Sequence, residues 1–94
     1  MLVRVWEYEV VPGREAEFER LYGSAGAWAQ LFGRSTGHVS TELYRGVDRP
    51  GRYVTVDRFS DVDSWQRFLS EHGDDYAELD SRCAQLTTSE AEIH

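Results

Sequence analysis

The chain has 94 residues, 10 of them basic and 17 acidic, which gives a formal charge of −7. That length leaves room for one domain and for no separate cofactor or regulatory module, and the acidic excess argues against a nucleic-acid phosphate backbone or an anionic membrane as partner. With 40% hydrophobic and 29% charged residues, the chain is expected to be a globular protein, neither a disordered tail nor a membrane span. A core this small covers only roughly 60–65% of the extended-chain surface, so pairing with a second copy is favoured. The single cysteine, Cys83, has no partner for an intrachain disulfide or a thiolate metal site. The opening residues become charged at Arg4 and Glu7, before a signal-peptide apolar region forms, and a cytoplasmic location is expected.

Leu2 to Val11 is rich in β-branched and aromatic residues, with Trp6, Tyr8 and Val10 on one parity and Val3, Val5, Glu7 and Glu9 on the other, so it reads as a strand with two unlike faces. Pro12-Gly13 ends it. From Arg14 to Phe32, Phe18, Leu21, Tyr22, Ala25, Trp28, Ala29 and Phe32 recur at helical spacing, which predicts one amphipathic helix with a weak point at Gly23-Ser24-Ala25-Gly26. Val39 to Val47 reads as a second strand, with Thr41 and Leu43 in phase with Val39. Asp48-Arg49-Pro50-Gly51 is a hairpin signal, and Arg52 to Phe59 returns with Tyr53, Thr55, Asp57 and Phe59 on one side and Val54, Val56 and Arg58 on the other.

Ser60, three residues before Asp63, has the spacing of a helix cap. The helix it opens carries Trp65, Phe68, Leu69 and His72 on one stripe; Gly73 interrupts the stripe, and Tyr76, Leu79, Cys83 and Leu86 resume it, so a second helical stretch and a change of direction are expected there. Ala91 and Ile93 share a parity that suits a short last strand. The resulting β-α-β-β-α-β order is that of the α+β ferredoxin-like fold. Right-handed crossovers put both helices on one face of an antiparallel sheet and leave Val3, Val5, Val54, Val56 and Arg58 on the other. That bare face is expected to meet a second copy, with Arg58 near a glutamate of the sheet.

With its elements in this order, nearly the whole chain resembles the antibiotic biosynthesis monooxygenase-like family of the dimeric α+β barrel superfamily. The carriers are Val11-Pro12-Gly13-Arg14-Glu15-Ala16-Glu17-Phe18, Thr41-Glu42-Leu43-Tyr44-Arg45, Pro50-Gly51-Arg52-Tyr53-Val54-Thr55-Val56-Asp57-Arg58-Phe59 and Ser64-Trp65-Gln66-Arg67-Phe68-Leu69. The resemblance implies a homodimer and a small pocket between sheet and helices. It also implies oxidation of phenolic or polyketide-like rings by molecular oxygen without metal, flavin or other cofactor, or else haem breakdown. The haem-degrading branch uses an asparagine in the first strand; this sequence has none, and Trp6 stands nearest that place, which sets it apart from that branch.

Cofactor-free oxidation needs aromatic walls and one base. Trp6, Tyr8, Trp28, Trp65 and Phe68 are the candidate substrate-binding residues, although stripes at helical spacing also read as plain core. His72 is the candidate general base, with Tyr76 one turn later to orient it; a histidine before Gly73 equally reads as a cap of its helix end. Asp57 points toward the helices by parity and needs a partner there, His72 or an arginine. Arg34, at the mouth after the first helix, reads as solvated or as a holder of a substrate carboxylate, the Asp74-Asp75 pair as facing water, Glu15, Glu17 and Glu19 as suited to the positive end of the first helix, and His38 and His94 as a strand-start residue near the surface and a terminal residue. No nucleophile elbow or phosphate-cradling glycine loop is present. The alternative to an oxygenase is a binding protein, or an isomerase- or cyclase-like helper, of the same fold.

Overall fold

A computed structural model describes residues 1–94. Four strands, β1 (Leu2–Val10), β2 (His38–Arg45), β3 (Arg52–Phe59) and β4 (Thr87–Ile93), form one antiparallel sheet in the order β2-β3-β1-β4. The helices α1 (Glu15–Tyr22), α2 (Ala27–Phe32) and α3 (Val62–Cys83) supply the second layer. This is the ferredoxin-like α+β fold, as the element order predicts.

Strand parity decides what each face holds. Along β3, Tyr53, Thr55, Asp57 and Phe59 are all buried while Arg52, Val54, Val56 and Arg58 alternate with them half-exposed. Phe18, Phe59 and Phe68 are sealed completely at the centre of the helix–sheet interface. On the opposite face, Ile93, Val5 and Val56 lie side by side across three strands. Arg52 pairs there with Glu7, and Arg58 with Glu42, so the expected partner of Arg58 is a glutamate of β2.

Several boundaries differ from those the periodicity predicts. The expected single helix over Arg14–Phe32 is two, because Gly23 leaves the helical region (φ −70°, ψ 173°) and Gly26 does so again (φ −84°, ψ −175°). A Cβ on Gly26 would sit 2.4 Å from the Leu21 carbonyl oxygen, so the break allows a close backbone approach that no larger residue permits. In α3 the expected interruption at Gly73 is a kink one residue earlier, at His72 (φ −129°, ψ 18°), and the helix continues through it. Its cap is Asp61, whose Oδ1 accepts the Ser64 amide at 2.7 Å, and not Ser60. At the turn before β3, Gly51 has φ +88° and its carbonyl accepts the Val10 amide at 2.7 Å.

β2 also starts differently. A register shift between His38 and Ser40 leaves Val39 as an extra, 52% exposed residue. This bulge turns both His38 and Thr41 toward the helices, where strict alternation would put them on opposite faces. The final segment forms a full seven-residue strand against β1.

Candidate functional site

A cavity of about 110 Å³ opens between the sheet and the helix layer. Trp6 and Tyr8 of β1, Thr41 of β2, and Thr55 and Asp57 of β3 form its floor. Tyr22, Trp28, Phe32 and Tyr76 wall it from the helices, and the exposed Asp80 and Glu90 stand at its solvent side. The volume approaches the roughly 150 Å³ of an apolar cavity that takes up benzene, so it accepts one aromatic ring, with the remainder of a larger molecule in the opening.

Local chain geometry makes this space. The break between α1 and α2 sets Tyr22 and Trp28 as neighbours, ring centroids 5.9 Å apart, from two separate helices. The kinked α3 brings Tyr76 against Trp28, 5.2 Å edge to face. The Trp28 indole Nε1 is buried beside the Tyr22 phenol and the Cys83 thiol, without a hydrogen bond of good geometry, a costly state for a donor.

Asp57 is the buried carboxylate of the site, 8% exposed. Burial raises its carboxyl from the ordinary 3.8 to about 6, against the opposing pull of the Thr41 hydroxyl and the Arg4 charge. Thr41 Oγ1 donates to Asp57 Oδ1 at 2.8 Å, and His38 Nε2 lies 2.9 Å from the same Thr41 oxygen. Arg4 is the register partner of Asp57 on the neighbouring strand. Its guanidinium is engaged elsewhere: Nε donates to Glu92 at 3.0 Å, and the group lies 4.3 Å from the Trp65 ring centroid. Asp57 therefore feels a cation's field without a direct ion pair, which is why burial dominates. The His38 ring packs on Phe59 and Phe32, and burial lowers its pKa against the opposing effect of the Ser40 backbone. Burial also raises the Tyr8 and Tyr22 phenols, keeping both protonated, and Tyr8 Oη accepts a long hydrogen bond, 3.4 Å, from Thr55.

Of the residues singled out in the sequence, Trp6, Tyr8, Trp28, Asp57 and Tyr76 converge on this cavity. Trp65, Phe68 and His72 are not in its lining: Phe68 is sealed in the solid core, Trp65 stacks on it, and the half-buried His72 ring lies 5.5 Å from Phe68. The partner of Asp57 is Thr41 and not His72. Arg34, expected in solvent, is exposed and paired with Asp75 at 2.9 Å. His38 and Arg4 were not legible as site residues. For Arg4 the parity it shares with Trp6 and Tyr8 was a usable signal; for His38 the bulge hid it. No group of three histidine, cysteine or acidic side chains comes together in a way that could hold a metal ion, and no helix is long and apolar enough to cross a membrane.

The fold has close counterparts among solved structures. A mutant of SnoaB, a cofactor-independent oxygenase from Streptomyces nogalater, superposes with a TM-score of 0.75 at 26% identity, over 98% of this chain and 89% of that one. Another SnoaB structure gives 0.70 at 26% identity, over 98% and 90%. A candidate antibiotic biosynthesis monooxygenase of Deinococcus radiodurans gives 0.78 at 13% identity, over 99% and 88%, a likeness of fold alone. No curated protein matches the sequence. The model of the antibiotic biosynthesis monooxygenase family matches residues 1–78, from β1 through most of α3, and so takes in all but the last two residues that shape the cavity, Asp80 and Glu90. The chain belongs to the antibiotic biosynthesis monooxygenase family.

Proposed function

We propose that the protein is a cofactor-independent monooxygenase that binds a small hydroxylated or polyketide-like aromatic ring in this cavity and oxidises it with molecular oxygen, with Asp57 as the base. The observation that carries the reading is a buried carboxylate, with its pKa raised to about 6, on the floor of an aromatic cavity. Such a group is ionised near neutrality yet basic enough to take a proton. The likeness to a cofactor-independent oxygenase at 26% identity supports the oxidative half of the reading.

For an anthrone-type ring, Asp57 removes the proton of the activated CH₂. The resulting carbanion is electron-rich and reduces O₂, forming a C–O bond to a peroxide. Loss of water from that peroxide leaves the ketone, so one O₂ oxidises the CH₂ to C=O with release of one H₂O. Trp6, Trp28 and Tyr76 hold the ring. His72 lies outside the lining, so the proposed base is Asp57, and His72→Ala is expected to retain turnover.

The whole chain, 1–94, is read as one such domain, because β4 pairs with β1 beyond the family match. Its outer sheet face is read as the contact of a homodimer. The support is the Val5, Val56 and Ile93 row flanked by paired charges. Val5→Asp should convert a dimer to a monomer in light scattering, and a wild-type protein that is monomeric at micromolar concentration would overturn the dimer.

Oxygen uptake with anthrone tests the reaction. Asp57→Asn is expected to lose about 10²–10⁴-fold in rate, and equal rates in wild type and variant would remove Asp57 from the role of base. Turnover of the ring without oxygen uptake would replace the oxygenase by a proton-transfer helper, a reading the lone buried carboxylate also favours.

A further inference from the structure

We propose that His38, acting through the Thr41 hydroxyl, is the outlet for the proton that Asp57 takes from the substrate. The proposal rests on Asp57 being the base. It is carried by a chain of two short contacts, Asp57 Oδ1 to Thr41 Oγ1 at 2.8 Å and Thr41 Oγ1 to His38 Nε2 at 2.9 Å. The chain begins at a cavity-lining carboxylate and ends on a half-buried imidazole. Thr41 is itself only 7% exposed, so its hydroxyl has these two groups as its hydrogen-bonding company.

A hydroxyl has one proton to give, and this makes the chain bistable. With Asp57 ionised, Thr41 donates to the carboxylate and His38 Nε2–H donates to Thr41. With Asp57 protonated, every bond reverses: Asp57 donates to Thr41, and Thr41 donates to the bare Nε2 of His38, whose proton then sits on Nδ1. Both arrangements satisfy all three groups, so little is lost in passing between them. After deprotonation of the substrate, the Asp57 proton moves to Thr41 Oγ1 while the Thr41 proton moves to His38 Nε2. The imidazolium so formed releases Nδ1–H to water, and Asp57 is a carboxylate again. The atoms balance: one proton leaves the substrate and one reaches solvent, and the peroxide anion later takes one back from solvent as it loses water.

The surroundings suit both ends. Facing Asp57 are Arg4 and Tyr8 from β1, Thr41 from β2, Tyr76 and Asp80 from α3, and Glu90 from β4. His38 is packed by Phe32 of α2 and Phe59 of β3, with Thr41 and the Ser40 backbone its polar neighbours. No carboxylate touches the ring to trap the proton there, and burial disfavours the imidazolium, so it discharges readily. The bulge at Val39 creates the relay by turning His38 and Thr41 to one side of β2.

Nitrogen-15 NMR of His38 tests the relay without any substrate. As the pH falls and Asp57 takes a proton, the neutral imidazole should switch from the Nε2–H to the Nδ1–H tautomer; Thr41→Val should abolish the switch and Thr41→Ser should keep it. One tautomer at every pH in the wild type would overturn the proposal. With anthrone and oxygen, His38→Ala should lower kcat about tenfold or more with KM unchanged, and added imidazole should restore it. Thr41→Ser should stay near the wild-type rate where Thr41→Val does not. Full activity in His38→Ala beside an inactive Asp57→Asn sinks the relay alone. Full activity in Asp57→Asn, beside a tautomer switch present in the wild type, sinks the base reading and leaves the hydrogen-bond chain.

Discussion

The helix–sheet interface has two ends built from the same kind of residue, and only one of them is hollow. Phe59, Phe68 and Trp65 pack on one another at centroid distances of 5.2 to 6.1 Å, and Phe32, which also walls the cavity, packs edge to face on all three. Trp6, Tyr8, Tyr22, Trp28 and Tyr76 surround a cavity. Aromatic content is therefore not what opens the site. The break between α1 and α2 lies at the hollow end and sets Tyr22 beside Trp28, whereas the kink at His72 and the bulge at Val39 lie against Phe68 and Phe59 and reach the cavity through Tyr76 and Thr41. At the solid end the rings interdigitate.

Removing mass from the solid end should cost most. Phe59→Ala is expected to destabilise by about 3–5 kcal/mol in urea unfolding, since Phe59 is sealed completely. A loss below about 1 kcal/mol would mean that this end is not the tightly packed one.

Asp57 at the hollow end should behave in the opposite sense. Its carboxyl titrates at about 6 in the folded protein against an ordinary 3.8, so between those values the native state keeps a proton that the unfolded chain has released. Stability from this group is present in full below the lower value and is lost as pH rises through the upper one, by up to roughly 3 kcal/mol. Asp57→Asn should therefore raise Tm at neutral pH while leaving it unchanged in acid. A variant less stable than wild type at neutral pH would show that the ionised carboxylate is welcome in the fold. For the same reason turnover should rise with pH as Asp57 ionises.

Gly26→Ala sharpens the comparison at the break itself. The added methyl meets the Leu21 and Arg20 carbonyl oxygens at 2.4 and 2.5 Å, so the backbone must shift at a cost of about 1–3 kcal/mol. Ring binding, read by tryptophan fluorescence, should weaken more than Phe59 packing is disturbed. The smallest effect belongs to Arg34→Ala. Its ion pair with Asp75 is more than half exposed on both sides, and its loss should change stability by no more than about 1 kcal/mol.

What the sequence made legible follows the regularity of the backbone. Period-two alternation assigns each β3 residue to its face, and the β-α-β-β-α-β order fixes the layers, because β3 and the flanks of β1 are regular. Parity also brings Trp6, Tyr8 and Asp57 to the helix side. Helical spacing adds Trp28 and Tyr76 but counts Trp65 and Phe68 with them, since a stripe does not say where the helix above it bends. The same spacing carries straight through Gly23–Gly26 and gives one helix where there are two. His38 escapes notice because a one-residue bulge breaks the very alternation on which the assignment rests, and Arg4 because an inward arginine is read as a surface residue until Trp65 and Glu92 are seen around it.

The six-residue α2, flanked by glycines at both ends, is too short to persist by its own hydrogen bonds; ring contacts hold it down. Since Trp28 rides on it, one wall of the chamber belongs to the least self-sufficient piece of the molecule. Amide exchange should be fastest there within the helical layer, and slower in the sheet beneath.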